Sequence, residues 1–296
     1  MTYAALIMAV LGWGSSFVAT KIALATLAPG VILFVRHGIA ALILFAVFKR
    51  RRLALPDRRL WPRLLLMGVF EPILYFLLET EGLRHTSASS ASLVIAAVPV
   101  LVAVAAWPIL KEKPTGRSAI GAILSVAGVV LLVLGDNNPD YADSSLLGNL
   151  LVLGAAVSAV GYILISRSLS GRVHPVTITF IQMTVGAVFF LFPAGASTVV
   201  DGLPAFTAES VVALTALTLF ATVLAFFGYN YALSKIPAAK ASVFINGIPL
   251  VTVLAAAVFL GESLTLLQGG AGVVIVAGVI LAGRRRKKRP KTEPAS

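Results

Sequence analysis

Ten apolar runs of membrane length follow one another along this chain, and no other feature narrows its possible folds as far. They fall at about 3–23, 30–48, 64–83, 88–110, 117–135, 146–167, 174–195, 208–233, 238–260 and 265–283. A helix needs about 20 apolar residues to cross the hydrocarbon core of a bilayer. Transmembrane strands alternate polar and apolar residues over about ten positions, and these runs do not. Only 12% of the 296 residues are charged, against about 25% in soluble domains. A soluble fold of this length lacks the polar groups to cover its surface. The reading is an all-α membrane protein with ten transmembrane helices. The first run is read as a retained helix. Ala23-Leu24-Ala25 has the form of a cleavage site, but no basic segment precedes the run and Lys21 interrupts its end.

A longer period runs through the same sequence. A shift of 150 lays residues 83–129 on 233–279 without a gap, with 15 identities in 47 positions. Pro99 meets Pro249, Glu112 meets Glu262, and Val126-Ala127-Gly128-Val129 meets Val276-Ala277-Gly278-Val279. Further upstream the offset drifts to 146, which sets Arg36 against Gln182. The chain divides into a first five-helix repeat (1–138), a second (144–283) and a basic tail (284–296). Five is odd, so the second repeat enters the membrane inverted. Inverted repeats are typical of transporters, whose substrate site lies near the midplane between the halves.

The net charge of +12 comes from 24 Lys and Arg against 12 Asp and Glu. With both termini in the cytoplasm, 21 of the 24 basic residues fall in cytoplasmic loops and the tail. This is the distribution expected of a multi-pass protein of a bacterial inner membrane. The excess therefore reports topology, and no nucleic acid is expected as a partner. The informative charges are those inside the membrane: Arg36, Glu71 and Glu79.

Intramembrane ionisable groups are costly and are functional candidates by default. Glu71, Tyr75 and Glu79 recur at i, i+4 and i+8, so they share one face of the third helix. Glu71 precedes Pro72, which frees a backbone carbonyl and bends the helix. Such a face either lines a central cavity, where it receives a substrate ammonium or a proton, or pairs with Arg36 or His37 of the second helix. Arg36 and Gln182 are read first as helix-to-helix bonds, with direct substrate contact as the alternative. The second half offers neutral polar groups: Ser158, Thr222, Asn230, Ser242 and Asn246. Trp13, Tyr75, Tyr162, Phe226 and Tyr229 supply aromatic walls, with Ser16, Ser92 and Asn246 as polar cavity candidates. Pro99 and Pro249 mark symmetric kinks and candidate gating points. The chain has no Cys and three His (His37, His85, His174), no two of which share a helical face. Neither a metal site nor a cofactor is expected.

Trp13-Gly14-Ser15-Ser16 resembles the opening of EamA-type members of the drug/metabolite transporter superfamily. So do the Pro99 and Pro249 helices, each followed by a Glu (Lys111-Glu112-Lys113, Gly261-Glu262-Ser263) and then a Gly-rich helix. The resemblance implies ten helices, cytoplasmic termini and export of small metabolites, with the aromatic amino acid exporters as the first relatives to consider. One departure stands out: Trp107-Pro108-Ile109-Leu110-Lys111-Glu112 occupies the place of Phe259-Leu260-Gly261-Glu262, which sets the two Glu positions apart. The expected function is a secondary transporter exporting small metabolites, amino acids first, by alternating access. Its partners are the bilayer and a small-molecule substrate, with proton exchange or simple facilitated efflux as the two open modes, and it is a monomer or homodimer. The phosphate loop GxxxxGK[ST] is absent, so ATP-driven transport would need another subunit. The alternative is an intramembrane enzyme acting on a lipid or small amphiphile; neither HExxH nor GxSxG occurs in the sequence.

Overall fold

The structure, a computed structural model, describes residues 1–110, 116–135 and 145–283. Glu112 and the tail 284–296 lie outside the described residues. The first half comprises α1 (Thr2–Leu24), α2 (Pro29–Arg50), α3 (Trp61–Gly68), α4 (Tyr75–His85), α5 (Ala88–Ile95), α6 (Val98–Leu110) and α7 (Gly116–Gly135). The second comprises α8 (Ser145–Leu169), α9 (Pro175–Asp201), α10 (Ala208–Ala216), α11 (Ala225–Lys235), α12 (Ala238–Ser242), α13 (Ile248–Phe259) and α14 (Leu266–Gly283). The described residues contain no β-strand, only an isolated bridge between Ser170 and Val173. Eight helical stretches among them are long and apolar enough to cross a membrane. Leu42, Ile123, Val188, Phe192 and Leu250 are exposed on the outside, a surface suited to lipid.

Several of these stretches are broken, and the sequence explains each break locally. Pro72 has no N–H to give the preceding turn, and its ring disfavours helical geometry at the residue before it. Glu71 accordingly sits at φ −149 and ψ 114, extended backbone between α3 and α4. The matching stretch of the second half, Leu217–Leu224, is wound as a π-helix. There Thr222 stands in the place of Pro72, and its Oγ1 donates to the carbonyl of Leu217 at 2.8 Å. Pro99 and Pro249 lie in the first turn of α6 and α13, where a missing N–H costs nothing. The interruptions fall just before them, at 96–97 and in a 3-10 turn over Val243–Gly247.

The two halves pack as antiparallel copies. Gly30, at the start of α2, lies against Pro193 and Ala194, late in α9. Phe48 near the other end of α2 stacks on Phe180 near the start of α9, with centroids 5.4 Å apart. Repeat mates thus run in opposite directions side by side. α7 meets its own mate α14, where Gly128 faces Ala271 and Ile275. α4 crosses α8, and α1 crosses α11 in the same way. Glycines let these backbones approach, as small residues do between membrane helices. A Cβ on Gly148 would lie 2.7 Å from the carbonyl carbon of His85 and 2.9 Å from the carbonyl oxygen of Gly82. Gly148→Val is therefore expected to push α4 and α8 apart at a cost of about 1–3 kcal/mol, read as a lower melting temperature in detergent.

One carboxylate ties the halves at a helix end. Gly261, at φ 66, turns the chain after α13 and presents Glu262 to the first half. Its Oε1 accepts from the backbone N–H of Ala88 at 2.9 Å. Its Oε2 accepts from the N–H and the hydroxyl of Ser89 at 3.0 and 2.8 Å. These are first-turn amides that α5 cannot satisfy itself, and they carry the positive end of its dipole. Gln268 Nε2 adds a bond to Ser90 Oγ at 2.9 Å.

Candidate functional site

A cavity lies between the halves beside the break at Glu71. Trp13 and Ser16 of α1 line it, with Glu71 at the break and Tyr75, Phe76 and Glu79 of α4. The second half contributes Tyr162 of α8 and Phe226 and Tyr229 of α11. Eight of the ten cavity candidates named from sequence thus meet here. Ser92 and Asn246 are not on the lining. Ser92 is buried within α5, its hydroxyl donating to the carbonyl of Ser89 at 2.8 Å. Asn246 lies in the 3-10 turn beside the lining residue Ile245, with its Oδ1 buried and unpartnered among the described residues. The remaining lining is apolar (Ile95, Val98, Ala159, Ile163, Ile245 and Ile248). In sequence these residues are indistinguishable from lipid-facing ones.

The rings form a connected wall. Trp13 meets Phe226 edge-on at 5.1 Å and Tyr229 at 5.0 Å between centroids. Tyr162 and Phe76 flank Phe226 at 5.9 and 6.1 Å. The hydroxyl of Tyr229 has no partner among the described residues. Two carboxyl groups, those of Glu71 and Glu79, share this lining. Glu79 Oε2 accepts from Thr80 Oγ1 at 3.2 Å, and the Glu71 side chain makes no hydrogen bond to the described residues. The cavity volume is about 40 Å³, room for a few waters at the roughly 10–15 Å³ each requires. An amino acid does not fit until the walls move.

Each broken stretch is held by a polar side chain from the other half, at matching positions of the repeat. Gln182 Nε2 donates to the freed carbonyl of Glu71 at 3.0 Å. Arg36 Nε donates to Thr222 Oγ1 at 3.0 Å. Ser158 Oγ secures the next carbonyl, that of Phe70, at 2.6 Å. Gln182 belongs to a longer chain of bonds. Asn230 Nδ2 donates to Thr179 Oγ1 at 3.0 Å and, more loosely, to Gln182 Oε1 at 3.4 Å. Tyr162 and Ser166 donate to Asn230 Oδ1 at 2.9 and 2.7 Å. A cavity tyrosine is thereby wired to the backbone of the Glu71 break. Gln182→Leu leaves a buried carbonyl and amide short of partners. It is expected to cost about 1–3 kcal/mol, measured as reduced thermal stability in detergent.

Arg36 and His37 lie behind the cavity wall. Both are buried, and Arg36 makes no ion pair among the described residues. Its guanidinium carbon is 4.4 Å from the Phe76 centroid. His37 Nδ1 is 2.7 Å from the carbonyl of Leu33, which fixes the proton on that nitrogen because a carbonyl only accepts. The ring lies between Phe76 and Phe190, at 5.0 and 5.3 Å. No cluster of three metal-ligating side chains occurs among the described residues.

Known proteins share this architecture. An uncharacterized transporter of Bacillus subtilis (strain 168), YcxC, is 32% identical over 286 residues, covering 94% of this chain and 91% of its own. An uncharacterized transporter of Archaeoglobus fulgidus is 29% identical over 93% of this chain and 95% of its own. A probable terminal-alkyne amino-acid exporter of Streptantibioticus cattleyicolor is 26% identical over 95% of this chain and 93% of its own. A solved crystal structure matches with a TM-score of 0.70 over 95% of this chain and 96% of its own at 19% identity, a likeness of fold. Residues 1–134 and 146–284 each match the EamA-like transporter family. The chain belongs to that family within the drug/metabolite transporter superfamily, and is a multi-pass inner-membrane transporter.

Proposed function

We propose that this transporter exports small metabolites, amino acids first and aromatic ones included, through the central cavity by alternating access. The carrying observation is that antiparallel halves bring two carboxyl groups of one repeat and aromatic rings of the other to the lining of one small cavity. An α-amino acid offers an ammonium for Glu71 or Glu79 and a side chain for Trp13, Phe226 and Tyr229. Cations over aromatic faces gain about 0.5–2 kcal/mol, which adds to the carboxylate contact. Ten spans with both termini in the cytoplasm complete the reading, supported by the concentration of Lys and Arg in alternate loops. Protons serve as the counter-ion, and the breaks before Pro99 and Pro249 serve as bending points.

Purified protein in proteoliposomes tests this directly. Preloaded unlabelled phenylalanine should drive uptake of radiolabelled phenylalanine well above that of protein-free vesicles. Absence of counterflow for every amino acid tried, together with turnover of a lipid or small amphiphile, would replace transport with intramembrane catalysis.

A further inference from the structure

The buried Arg36 has capacity that its structural bond does not use. A guanidinium carries five N–H donors in a planar fork. The Nε–H is spent on Thr222 Oγ1 at 3.0 Å. Nη1 and Nη2 are buried and reach no acceptor among the described residues. A charged group held inside a membrane protein without a direct ion pair is expensive, and its tie to Thr222 uses one donor of five. A neutral amide does that job in the other half, where Gln182 holds the Glu71 break. The charge at Arg36 calls for a further partner, and that partner must be able to enter and leave.

Its position says where the partner comes from. The guanidinium lies 4.4 Å from the ring centroid of Phe76, and Phe76 is itself a cavity wall. Arg36 therefore stands one aromatic ring behind the cavity. The cavity is too small for an amino acid, so substrate entry must displace part of its wall. A shift of Phe76 would supply space and uncover the two unused nitrogens in one movement. Glu79, Tyr75 and Glu71 are the acidic and phenolic groups within electrostatic reach of the guanidinium. The same lining carries Glu71 and Glu79, which suit an ammonium. The geometry points to Arg36 as the receptor for the substrate carboxylate, with Phe76 as its cover and Thr222 fixing the plane of the fork. This assignment rests on the amino acid reading above and narrows it: the substrate is a zwitterion spanning Glu71 or Glu79 and Arg36, not a simple organic cation.

Bidentate guanidinium–carboxylate pairs are among the strongest polar contacts in proteins, and lysine does not reproduce their geometry. The experiment compares L-phenylalanine with phenethylamine, which keeps the ring and the ammonium and lacks the carboxylate. Transport of both is measured in proteoliposomes for the parent chain, Arg36→Met and Arg36→Lys. The parent should prefer phenylalanine. Arg36→Met should lose phenylalanine transport by about tenfold or more, equivalent to ~1.4 kcal/mol, while phenethylamine transport stays within about twofold. Continued phenethylamine transport shows that the variant is folded. Arg36→Lys, which keeps the charge and loses the fork, should raise the KM for phenylalanine with little change for phenethylamine. It provides the same comparison if Arg36→Met does not fold. Equal loss of both substrates in a folded variant would make Arg36 a helix tie only and overturn the assignment, leaving amino acid export standing. A parent chain that carries phenethylamine but no amino acid would instead overturn the amino acid reading, and the assignment with it.

Discussion

Glu79→Gln and Glu71→Gln are each expected to abolish the ability of a pH gradient to drive substrate accumulation, while exchange of substrate for substrate at equal pH continues. Gln keeps nearly the shape and hydrogen-bonding reach of Glu and removes its proton. The surroundings explain why the proton matters. The two carboxyl groups share one cavity with the phenols of Tyr75, Tyr162 and Tyr229, and Arg36 is the nearest fixed cation. A bound zwitterion adds one positive and one negative charge. Its ammonium competes with a proton for the same carboxylate, so substrate binding displaces the proton and the two cross the membrane in opposite directions. With one proton exchanged per substrate and the membrane potential clamped, a gradient of one pH unit sustains about a tenfold substrate gradient, ~1.4 kcal/mol. The measurement is steady-state accumulation of labelled phenylalanine against an imposed gradient. Parent-like accumulation in both variants would remove proton coupling from these two groups.

The second large effect concerns the rings. Trp13→Ala is expected to raise the KM for phenylalanine by about tenfold and to affect leucine much less. Trp13 is within 5.1 Å of Phe226 and 5.0 Å of Tyr229 between centroids, so its removal deletes one wall and releases two others. Aromatic pairs contribute about 0.5–1.5 kcal/mol each beyond the area they bury. The loss of one substrate contact together with looser neighbours reaches the ~1.4 kcal/mol that a tenfold change represents. Leucine can use the apolar remainder of the lining, which the substitution leaves in place. A parallel loss for both amino acids would mean that Trp13 supports the helices and does not read the substrate.

Much of this architecture was legible in the chain because bilayers impose a strong length rule. The repeat showed through because the pairs Pro99/Pro249 and Glu112/Glu262 are not matches that an Ala-, Leu- and Val-rich composition produces by chance. The bend at Glu71 followed from Pro72 alone. Its counterpart at Leu217–Leu224 was harder to see, because Thr222 achieves a wider turn through its own hydroxyl without any proline. The cavity candidates that met were the large aromatic and acidic ones, whose chemistry is conspicuous in an apolar helix. Ser92 lies off the cavity lining, its hydroxyl bonded to a carbonyl one turn back as a serine in a helix can be. The ties through Gln182 and Arg36 needed three dimensions. Each joins residues more than a hundred positions apart, and nothing local in the sequence announces the partner.

The bond between Glu262 and the start of α5 bears on leakage. It is made by one half and received by the other, so any motion that parts the halves at this end strips three contacts from a single carboxylate together. Two amides and a hydroxyl then lose their acceptor at once, and no partial separation keeps them satisfied. Such an end behaves like a snap fastener: small fluctuations are returned, and only a displacement large enough to bring in water or a new partner passes. A membrane that must hold its ion gradients between transport events is served by a barrier of that kind.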